Sequence, residues 1–254
     1  MPNSGEPTVL VVIPARYAST RFPGKPLAPI AGKPMIQHVV ERVRLASLPS
    51  RVIVATEDDR IKSAVEAFGA EAILTRPDHR TGTDRIAEVA THIPADIYIN
   101  VQGDEPLIEP GTVDAVAAAM AEDDAIQLAT PCAAITVPGE IMDPNVVKVV
   151  LDFDSNALYF SRAPIPWVRD RDAPVHAQHM KHLGLYAFRR AALLDFATLP
   201  LGDLERVEQL EQLRWMENGY KIRVAETSHD SVSVDVPEDV ARVDELIRKA
   251  ATSK

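Results

Sequence analysis

The chain has 254 residues and is 46% hydrophobic, which suffices for one large α/β domain or for a domain with an inserted lobe. Its 27 lysines and arginines are outnumbered by 37 aspartates and glutamates, and the net charge of −10 argues against a general nucleic-acid binder. The lone cysteine, Cys132, excludes an intramolecular disulfide and a cysteine zinc site, and it fits a reducing cytoplasm. No apolar run approaches membrane-spanning length and residues 1–7 lack signal-peptide features, so we expect a protein that is neither integral nor exported.

The first half of the chain predicts strands that alternate with helices. Apolar runs bounded by turn residues predict strands, and apolar residues at helical spacing predict helices. The predicted strands are 9–13, 52–55, 72–74 and 96–101, and the predicted helices are 35–43, 61–68 and 83–90. Either Thr81 or Thr83 is the expected N-cap of the third helix. This alternation predicts a doubly wound sheet.

The second half departs from strict alternation. Residues 146–151 and 157–160 flank a turn-forming Asp154-Ser155-Asn156, which predicts antiparallel strands and therefore a mixed sheet. The proline-rich residues 162–178 predict a loop. The remaining predicted elements are a strand at 182–188, a helix at 204–218 closed by Gly219, and a final helix at 237–250.

Three cations follow the first predicted strand, namely Arg16, Arg21 and Lys25. The carboxyl end of a strand is where an open α/β sheet binds its ligand, and fixed positive charge there suits a polyphosphate. Neither the dinucleotide glycine fingerprint nor a Walker loop is present in this segment. A solvated surface loop is the alternative, but four prolines between residues 14 and 29 stiffen the segment.

Two aspartates are candidate metal ligands. Asp104 follows a predicted strand and a glycine, and Asp235 lies at the end of a second apolar run before Pro237. Two carboxylates on separate strand ends can hold one Mg²⁺. Alternatively, each could form a turn or cap a helix; Asp235 could cap the last helix, and Asp239 could favour its dipole.

With these residues in place, the chain resembles the 3-deoxy-manno-octulosonate (Kdo) cytidylyltransferases, also called CMP-Kdo synthetases. Individual blocks are moderately specific, but together and in order they cover essentially the whole chain. The matching blocks are residues 13–21, 23–27, 75–76 with His79, 82–85, 100–106, 145–150, 159–162, 164–167, 182–184, 210–214 and 234–239.

The resemblance implies a fold and a reaction. The fold is an α/β, Rossmann-like nucleotidyltransferase fold with a mixed, mostly parallel central sheet flanked by helices, plus a smaller dimerisation and sugar-binding lobe. A single domain, 1–254, is expected, with a CTP-binding first half and sugar and dimer contacts from about 140–215. The reaction joins CTP and Kdo into CMP-Kdo and pyrophosphate, with Mg²⁺ as cofactor, in a cytoplasmic homodimer that serves lipopolysaccharide biosynthesis.

The resemblance also assigns roles to residues. Arg16, Lys25, Asp104 and Asp235 would be catalytic, with Asp104 and Asp235 as metal ligands and Arg21 as a secondary cation. Nucleotide binding would involve Pro14, Ala15, Arg16, Lys25, Arg80, Thr81, Gly82 and Gln102. Sugar binding would involve Arg162, which would hold the carboxylate, together with His182, Tyr186, Glu211 and Gln212. Without the resemblance, His182 is simply a strand histidine, and Glu211 and Gln212 form a solvated helix face.

Three alternatives remain open at this stage. A cytidylyltransferase for a related acidic sugar, such as sialic acid or amino-Kdo, would share the fold and the nucleotide, although residues 159–162 and 210–214 favour Kdo over sialic acid. A nicotinamide-dependent dehydrogenase fits the βαβ start but lacks the glycine fingerprint. A non-catalytic nucleotide-binding protein would bind CTP without releasing pyrophosphate.

Overall fold

The structure is a computed structural model that describes residues 7–18, 22–169, 179–230 and 232–252. The strands are β1 (Val9–Ala15), β2 (Pro29–Ile30), β3 (Lys33–Pro34), β4 (Arg51–Thr56), β5 (Glu71–Leu74), β6 (Ile97–Asn100), β7 (Leu128–Ala134), β8 (Lys148–Leu151), β9 (Ala157–Ser161), β10 (Met180–His182), β11 (Tyr186–Arg189) and β12 (Arg223–Thr227). The α-helices are α1 (Met35–Val43), α2 (Asp59–Ala67), α3 (Gly82–His92), α4 (Pro110–Glu122), α5 (Pro138–Met142), α6 (Arg190–Phe196), α7 (Asp203–Glu208), α8 (Gln212–Glu217) and α9 (Pro237–Thr252), and a 3-10 helix spans Lys25–Leu27.

A ten-stranded mixed sheet organises the molecule, in the order β5-β4-β1-β6-β11-β7-β10-β8-β9, with β12 paired to β7. The pairings of β1 with β4 and β6, of β4 with β5, and of β7 with β12 are parallel. The strands β9, β10 and β11 run opposite to the other seven, since each pairs antiparallel with its neighbours. The predicted mixed and mostly parallel sheet is therefore confirmed.

Apolar layers cover both faces of the sheet. Alternate residues of β1 point to opposite sides: Val11 and Ile13 pack with α1, α2 and α4, whereas Leu10 and Val12 pack with α3, α6 and α8. All seven residues of β1 are buried, as expected for a parallel strand covered by helices on both faces. Each fully buried Val or Ile contributes about 1.5–3 kcal/mol of transfer free energy, so burial of this strand fixes the position of the loop that follows it.

Most predicted elements of the first half are confirmed within one or two residues at their ends. Helix α3 begins with a capping box, in which the Thr81 hydroxyl accepts from the amide of Asp84 and the Asp84 carboxylate accepts from the amide of Thr81. The N-cap is thus Thr81 and not Thr83. The turn at 154–156 joins antiparallel β8 and β9, with Ser155 at φ 60°.

Two predicted elements of the second half are each interrupted. The strand predicted at 182–188 divides into β10 and β11, which lie end to end along one edge of β7. At the break, the Thr130 hydroxyl donates to the carbonyl of Leu185 at 2.7 Å. The helix predicted at 204–218 divides into α7 and α8 because Gln209 adopts a left-handed conformation with φ 54°. Local periodicity missed both breaks because contacts from distant segments stabilise them.

Asp235 was predicted to lie at a strand end, and this placement is wrong. Residues 232–236 form no strand and run as an irregular segment between β12 and α9. The segment is held by Val234, which packs with Ile30, Met35 and Val243 in a small apolar cluster beside the β2–β3 hairpin. Helix α9 is fastened to this hairpin by Asp244, which accepts from the amide of Ala31 at 2.6 Å.

None of the helices in the described parts of the chain is both long and apolar enough to cross a bilayer. Residues 140–215 contribute β8–β11 and continue the central sheet. Their assignment to sugar and dimer contacts stays a prediction. Of the loop predicted at 162–178, residues 162–169 contain neither helix nor strand, and residues 170–178 lie outside the described residues, as does Arg21.

Candidate active site

A cavity of about 470 Å³ opens at the carboxyl ends of β1 and β6, beside the first turn of α3. This is the edge at which an open α/β sheet places its ligands. Its lining residues come from four separate stretches of sequence: Pro14, Ala15, Arg16, Ala18, Lys25, Pro26, Gly82, Gln102, Gly103 and Asp104. Six of the eight predicted nucleotide-binding residues are among them.

Two glycines allow the walls of this cavity to approach closely. A Cβ on Gly103 would lie 2.9 Å from the main-chain oxygen of Pro14, and a Cβ on Gly82 would lie 3.2 Å from the Pro14 ring. Any side chain at Gly103 would therefore push β1 and the segment after β6 apart. The two glycines set the width of the cavity.

The Lys25 ammonium group joins three segments at one end of the cavity. Its Nζ lies 2.6 Å from Oδ2 of Asp104 and 3.0 Å from the main-chain oxygen of Val234. The Lys25 and Asp104 side chains remain 16% and 29% exposed, so both reach the solvent-filled space. A cation and a carboxylate predicted to be catalytic are thus in direct contact.

Main-chain pairing brings the segment that carries Asp235 to Asp104. The amide of Val234 donates to the carbonyl of Asp104 at 2.9 Å, so Asp235 directly follows a residue bonded to the Asp104 main chain. Asp239, in the first turn of α9, stabilises the start of this helix, since its carboxylate accepts from the amides of Asp235 and Val236 at 2.8 and 3.1 Å. These bonds lower the pKa of Asp239 from its ordinary value.

The donor set at this end of the cavity suits magnesium. In the described ranges, no group of three or more His, Cys, Asp or Glu side chains is arranged to hold a metal. Magnesium is commonly bound by one or two carboxylates together with substrate phosphates and water. Asp104 lines the cavity and Asp235 lies on the segment bonded to its main chain, so these residues could supply one or two carboxylates of this kind and fit the ion.

The predicted nucleotide-binding residues divide between two places. Gln102 lines the cavity and its amide donates to the carbonyl of Gly184 at 3.3 Å, which joins it to the segment between β10 and β11. Thr81 adjoins the cavity as the cap of α3. Arg80, in contrast, is exposed and lines a different cavity of about 620 Å³ with residues of α3 and α6, so the structure does not bring it to the 470 Å³ cavity.

Four of the predicted sugar-binding residues lie on the α3 face of the sheet. Tyr186 pairs in register with Asn100, the last residue of β6. Glu211 accepts a short hydrogen bond from the Thr83 hydroxyl, which joins the start of α8 to the first turn of α3. Burial raises the pKa of Glu211, and the Thr83 hydrogen bond opposes that shift. The surface-helix alternative is wrong for Glu211 and Gln212, since the first is largely enclosed and the second is 3% exposed.

Two buried side-chain amides on this face each have one polar atom without a hydrogen-bond partner among the described residues. Within the described parts of the chain, neither Nε2 of Gln212 nor Oδ1 of Asn100 forms a hydrogen bond. Such an unmatched buried polar atom costs free energy unless a ligand or water pairs with it. Asn100 was assigned no role from the sequence, although its position at the carboxyl end of a buried strand could have indicated one.

His182 and Tyr186 belong to an aromatic cluster. The His182 ring centroid lies 5.0 Å from that of Phe160 and 5.3 Å from that of Tyr186. Nε2 of His182 is 2.9 Å from the Thr130 hydroxyl. Burial lowers the pKa of His182 to about 3, so the ring is neutral near pH 7, and burial raises the pKa of Tyr186.

Arg162 was predicted to hold the sugar carboxylate, but its guanidinium group is engaged with the main chain. It donates to the carbonyls of Glu208 at 2.7 Å, Pro144 at 2.9 Å and Gln209 at 3.3 Å. The bonds to Glu208 and Gln209 occupy carbonyls exposed where α7 ends, and the bond to Pro144 reaches the segment before β8. The structure thus places Arg162 as a brace between β9 and the α7–α8 break, apart from the residues that line the 470 Å³ cavity.

Known proteins resemble this chain along nearly its whole length. The family model described as Cytidylyltransferase matches residues 10–222. The 3-deoxy-manno-octulosonate cytidylyltransferase of Syntrophotalea carbinolica is 53% identical over 247 residues, covering 95% of this chain and 99% of that protein. The protein of the same name from Solibacter usitatus is 52% identical over 240 residues, covering 94% of each.

Solved structures show the same similarity. A structure of CMP:2-keto-3-deoxy-manno-octonic acid synthetase complexed with CTP superposes with a TM-score of 0.91 at 46% identity, covering 96% of this chain and 99% of that one. A 4-diphosphocytidyl-2C-methyl-D-erythritol synthase from Anaerococcus prevotii, at 11% identity and a TM-score of 0.63, shares the fold. The chain therefore belongs to the cytidylyltransferase family and, within it, to the 3-deoxy-manno-octulosonate cytidylyltransferases.

Proposed function

We propose that this protein transfers CMP from CTP to Kdo and releases pyrophosphate. The observation that carries the proposal is the contact of Lys25 with Asp104, beside Asp235, in a cavity at the carboxyl end of β1. The full-length similarity to enzymes named for this reaction supports it. The product would serve lipopolysaccharide biosynthesis in the cytoplasm.

The reaction requires a weak nucleophile to attack an anion. The anomeric hydroxyl oxygen of Kdo attacks the α-phosphorus of CTP and forms the new phosphate ester bond, the hydroxyl proton leaves to solvent, and the bond between the α-phosphorus and the pyrophosphate oxygen breaks. Arg16 and Lys25 neutralise the triphosphate and stabilise the charge that develops on pyrophosphate. Preorganised cations are more important here than a proton-transfer group, so no covalent intermediate on the protein is expected.

Asp104 and Asp235 would hold Mg²⁺. When bound, this ion supplies Lewis-acid stabilisation of phosphate charge and orients the reacting groups. The Lys25 ammonium group, 2.6 Å from Asp104, limits the negative charge at this site before substrate enters. Asp104 and Asp235 are 131 residues apart in sequence, and the Val234–Asp104 main-chain bond holds their two segments together.

The substrates would occupy adjoining parts of the sheet edge. Pro14, Ala15, Thr81, Gly82 and Gln102 surround the space proposed for cytosine and ribose. The proposed sugar site lies on the α3 face, where His182, Tyr186, Glu211 and Gln212 converge. The unmatched amide of Gln212 supports this placement, because a sugar hydroxyl would satisfy it. Arg80 and Arg162 could reach substrate only after rearrangement from their present positions.

The proposed assembly is a homodimer in which residues of the second half form the contact. Its support is the family assignment together with exposed apolar side chains in this region. Met142, Leu158, Trp167 and Val207 are 67%, 59%, 71% and 83% exposed. Isolated apolar side chains are normal on surfaces, so sedimentation of the purified protein is the deciding measurement.

Pyrophosphate release tests the reaction. The protein would be incubated with CTP and Mg²⁺ and either Kdo, N-acetylneuraminate or no sugar. Release that requires Kdo, and that falls at least about 100-fold in both Asp104→Asn and Asp235→Asn, is expected. Asp114→Asn is the matched control, because this aspartate caps a surface turn by accepting from Ser47 and Leu48. Release with N-acetylneuraminate but not with Kdo would assign sialic acid as the sugar substrate in place of Kdo. CTP binding without pyrophosphate release would indicate a non-catalytic nucleotide-binding protein.

A further inference from the structure

A buried ion pair lies directly behind the cationic loop that follows β1. Nη2 of Arg85 lies 2.8 Å from Oε2 of Glu57, and the side chains are 1% and 15% exposed. Arg85 lies on α3 and Glu57 directly follows β4. Arg85 also donates a short hydrogen bond to the Thr75 hydroxyl. An arginine this deeply buried is rare, and removing its partner is strongly destabilising because the charge remains in a poorly solvated place.

The same Glu57 carboxylate holds the main chain of the loop. Its Oε1 accepts from the amide of Tyr17 at 3.1 Å, and this amide belongs to the peptide bond that joins Arg16 to Tyr17. One carboxylate thus connects the buried guanidinium of α3 to the residue that carries the first cation of the cavity. Burial lowers the pKa of Arg85; the charge of Glu57 opposes this shift, and the charge of Arg16 adds to it.

Tyr17 is held at two further points. Its carbonyl accepts from the amide of Gly24 at 2.9 Å, and the guanidinium carbon of Arg60 lies 3.3 Å above the centre of its ring. Arg60 is itself oriented by Asp58, at 2.6 and 2.9 Å. Tyr17 thus directly follows Arg16 and is bonded through its carbonyl to Gly24, the residue before Lys25. Because the Tyr17 amide belongs to the peptide bond after Arg16, fixing Tyr17 fixes the main chain of Arg16, whereas Lys25 is held separately by Asp104 and Val234.

We propose that Glu57 and Arg85 are positioning residues for Arg16, holding its main chain so that its guanidinium group faces the triphosphate. This inference rests on the proposed function, in which Arg16 binds CTP. The cations stabilise the transition state only when they are in place before the reaction, since reorganisation would cost part of their effect. An ion pair between α3 and the end of β4 is suited to this task, because β4 is a strand of the central sheet and α3 is packed on that sheet.

A double-mutant cycle with Arg16 tests the proposal. Glu57→Ala should raise the Kd for CTP, measured by calorimetry, and lower kcat/KM for CTP, each by about 10-fold to 100-fold. The KM for Kdo at saturating CTP should stay unchanged. In the Arg16→Ala background, Glu57→Ala should change the Kd for CTP by less than about two-fold, because the residue it positions is gone. Equal effects in both backgrounds would overturn the proposal.

A second variant and a control separate positioning from folding. In Glu57→Ala the charge of Arg85 would stay buried without its partner. The double variant Glu57→Ala with Arg85→Met removes this charge as well as the Tyr17 contact, so it should fold even where Glu57→Ala does not. The double-mutant cycle with Arg16→Ala is then repeated with this double variant. Val116→Ala is the control: Val116 is a fully buried residue of α4, so this variant lowers the free energy of unfolding without touching the loop after β1. If it weakens CTP binding as much as Glu57→Ala, the proposal is wrong. If the wild-type protein binds CTP but releases no pyrophosphate, the proposed function is wrong, while the CTP-binding cycle still decides whether Glu57 and Arg85 position Arg16. If the wild-type protein does not bind CTP, both the proposed function and this inference are wrong.

Discussion

The ammonium group of Lys25 and the carboxylate of Asp104 form an ion pair of 2.6 Å across 79 residues of sequence. Lys25 also donates to the carbonyl of Val234, next to Asp235. One side chain thus links the loop after β1, the segment after β6 and the segment before α9. The proposed triphosphate and metal sites are therefore a single electrostatic unit, and a change in one should affect the other.

Lys25→Met should lower kcat by about 100-fold to 1000-fold, because the cation that stabilises the departing pyrophosphate is lost. Lys33→Met is the matched control. Lys33 is 45% exposed in its ion pair with Glu41, and such a surface pair contributes at most about 1 kcal/mol. Steady-state pyrophosphate release measures both variants. Comparable rates for Lys25→Met and wild type would rule out this role.

Gly103→Ala should destabilise the protein by about 1–3 kcal/mol and weaken CTP binding, because the new Cβ would lie 2.9 Å from the Pro14 carbonyl. Gly139→Ala provides the comparison, since a Cβ there has no neighbour within 4 Å. Urea unfolding without CTP measures the free energy of unfolding, and its increase when CTP is added measures CTP binding. A Gly103→Ala protein as stable as Gly139→Ala, with unchanged CTP affinity, would show that the two walls can separate freely.

Gln212→Leu should stabilise the ligand-free protein while impairing its use of Kdo. The unmatched Nε2 of this buried side chain costs about 1–3 kcal/mol, and leucine removes the polar atom at similar volume. We expect a higher Tm, a KM for Kdo raised at least about 10-fold, and an unchanged KM for CTP. A lower Tm together with an unchanged KM for Kdo would contradict both parts of the expectation.

His182 should make the fold sensitive to mild acid. Its folded-state pKa of about 3 lies below the ordinary value of 6.5, so the unfolded chain binds a proton that the folded chain does not. The contribution of His182 to the free energy of unfolding is therefore complete above pH 6.5. It decreases as the pH falls towards 3, by up to about 1.4 kcal/mol per pH unit.

Urea unfolding of wild type and His182→Gln at pH 7.5, 6.0 and 5.0 isolates this contribution. The difference in unfolding free energy between the two proteins should shift in favour of the variant as the pH falls below 6.5. A difference that does not change with pH would show that His182 titrates normally in the folded protein.

Cys132 should be unreactive in the native protein. It is fully buried, and burial raises the pKa of its thiol to about 12, which leaves almost no thiolate at pH 8. A chromogenic disulfide reagent should label one thiol per chain in urea and react at least about 100-fold more slowly without it. Rapid labelling of the native protein would indicate that β7 opens readily.

The sequence by itself determined the parts of this protein that depend on near neighbours. The apolar run of β1, a threonine cap of α3 at Thr81 or Thr83, the turn at 154–156 and the cationic loop all follow from residues within a few positions of one another. Their physical basis is local, because backbone conformation and capping are set over one or two turns of chain. The order of the motif blocks likewise sufficed to assign the family.

Tertiary structure alone decided how these parts meet. The breaks at 183–185 and Gln209, the engagement of Arg162 with main-chain carbonyls, and the location of Asp235 outside the sheet depend on partners far away in sequence. Helix α4 and strands β7 and β12 were also not predicted, and they are packed against each other by contacts between distant segments. The Arg162 guanidinium could bind either a sugar carboxylate or main-chain carbonyls. Packing of distant segments determines which of these acceptors lies within its reach, and local sequence does not encode that packing.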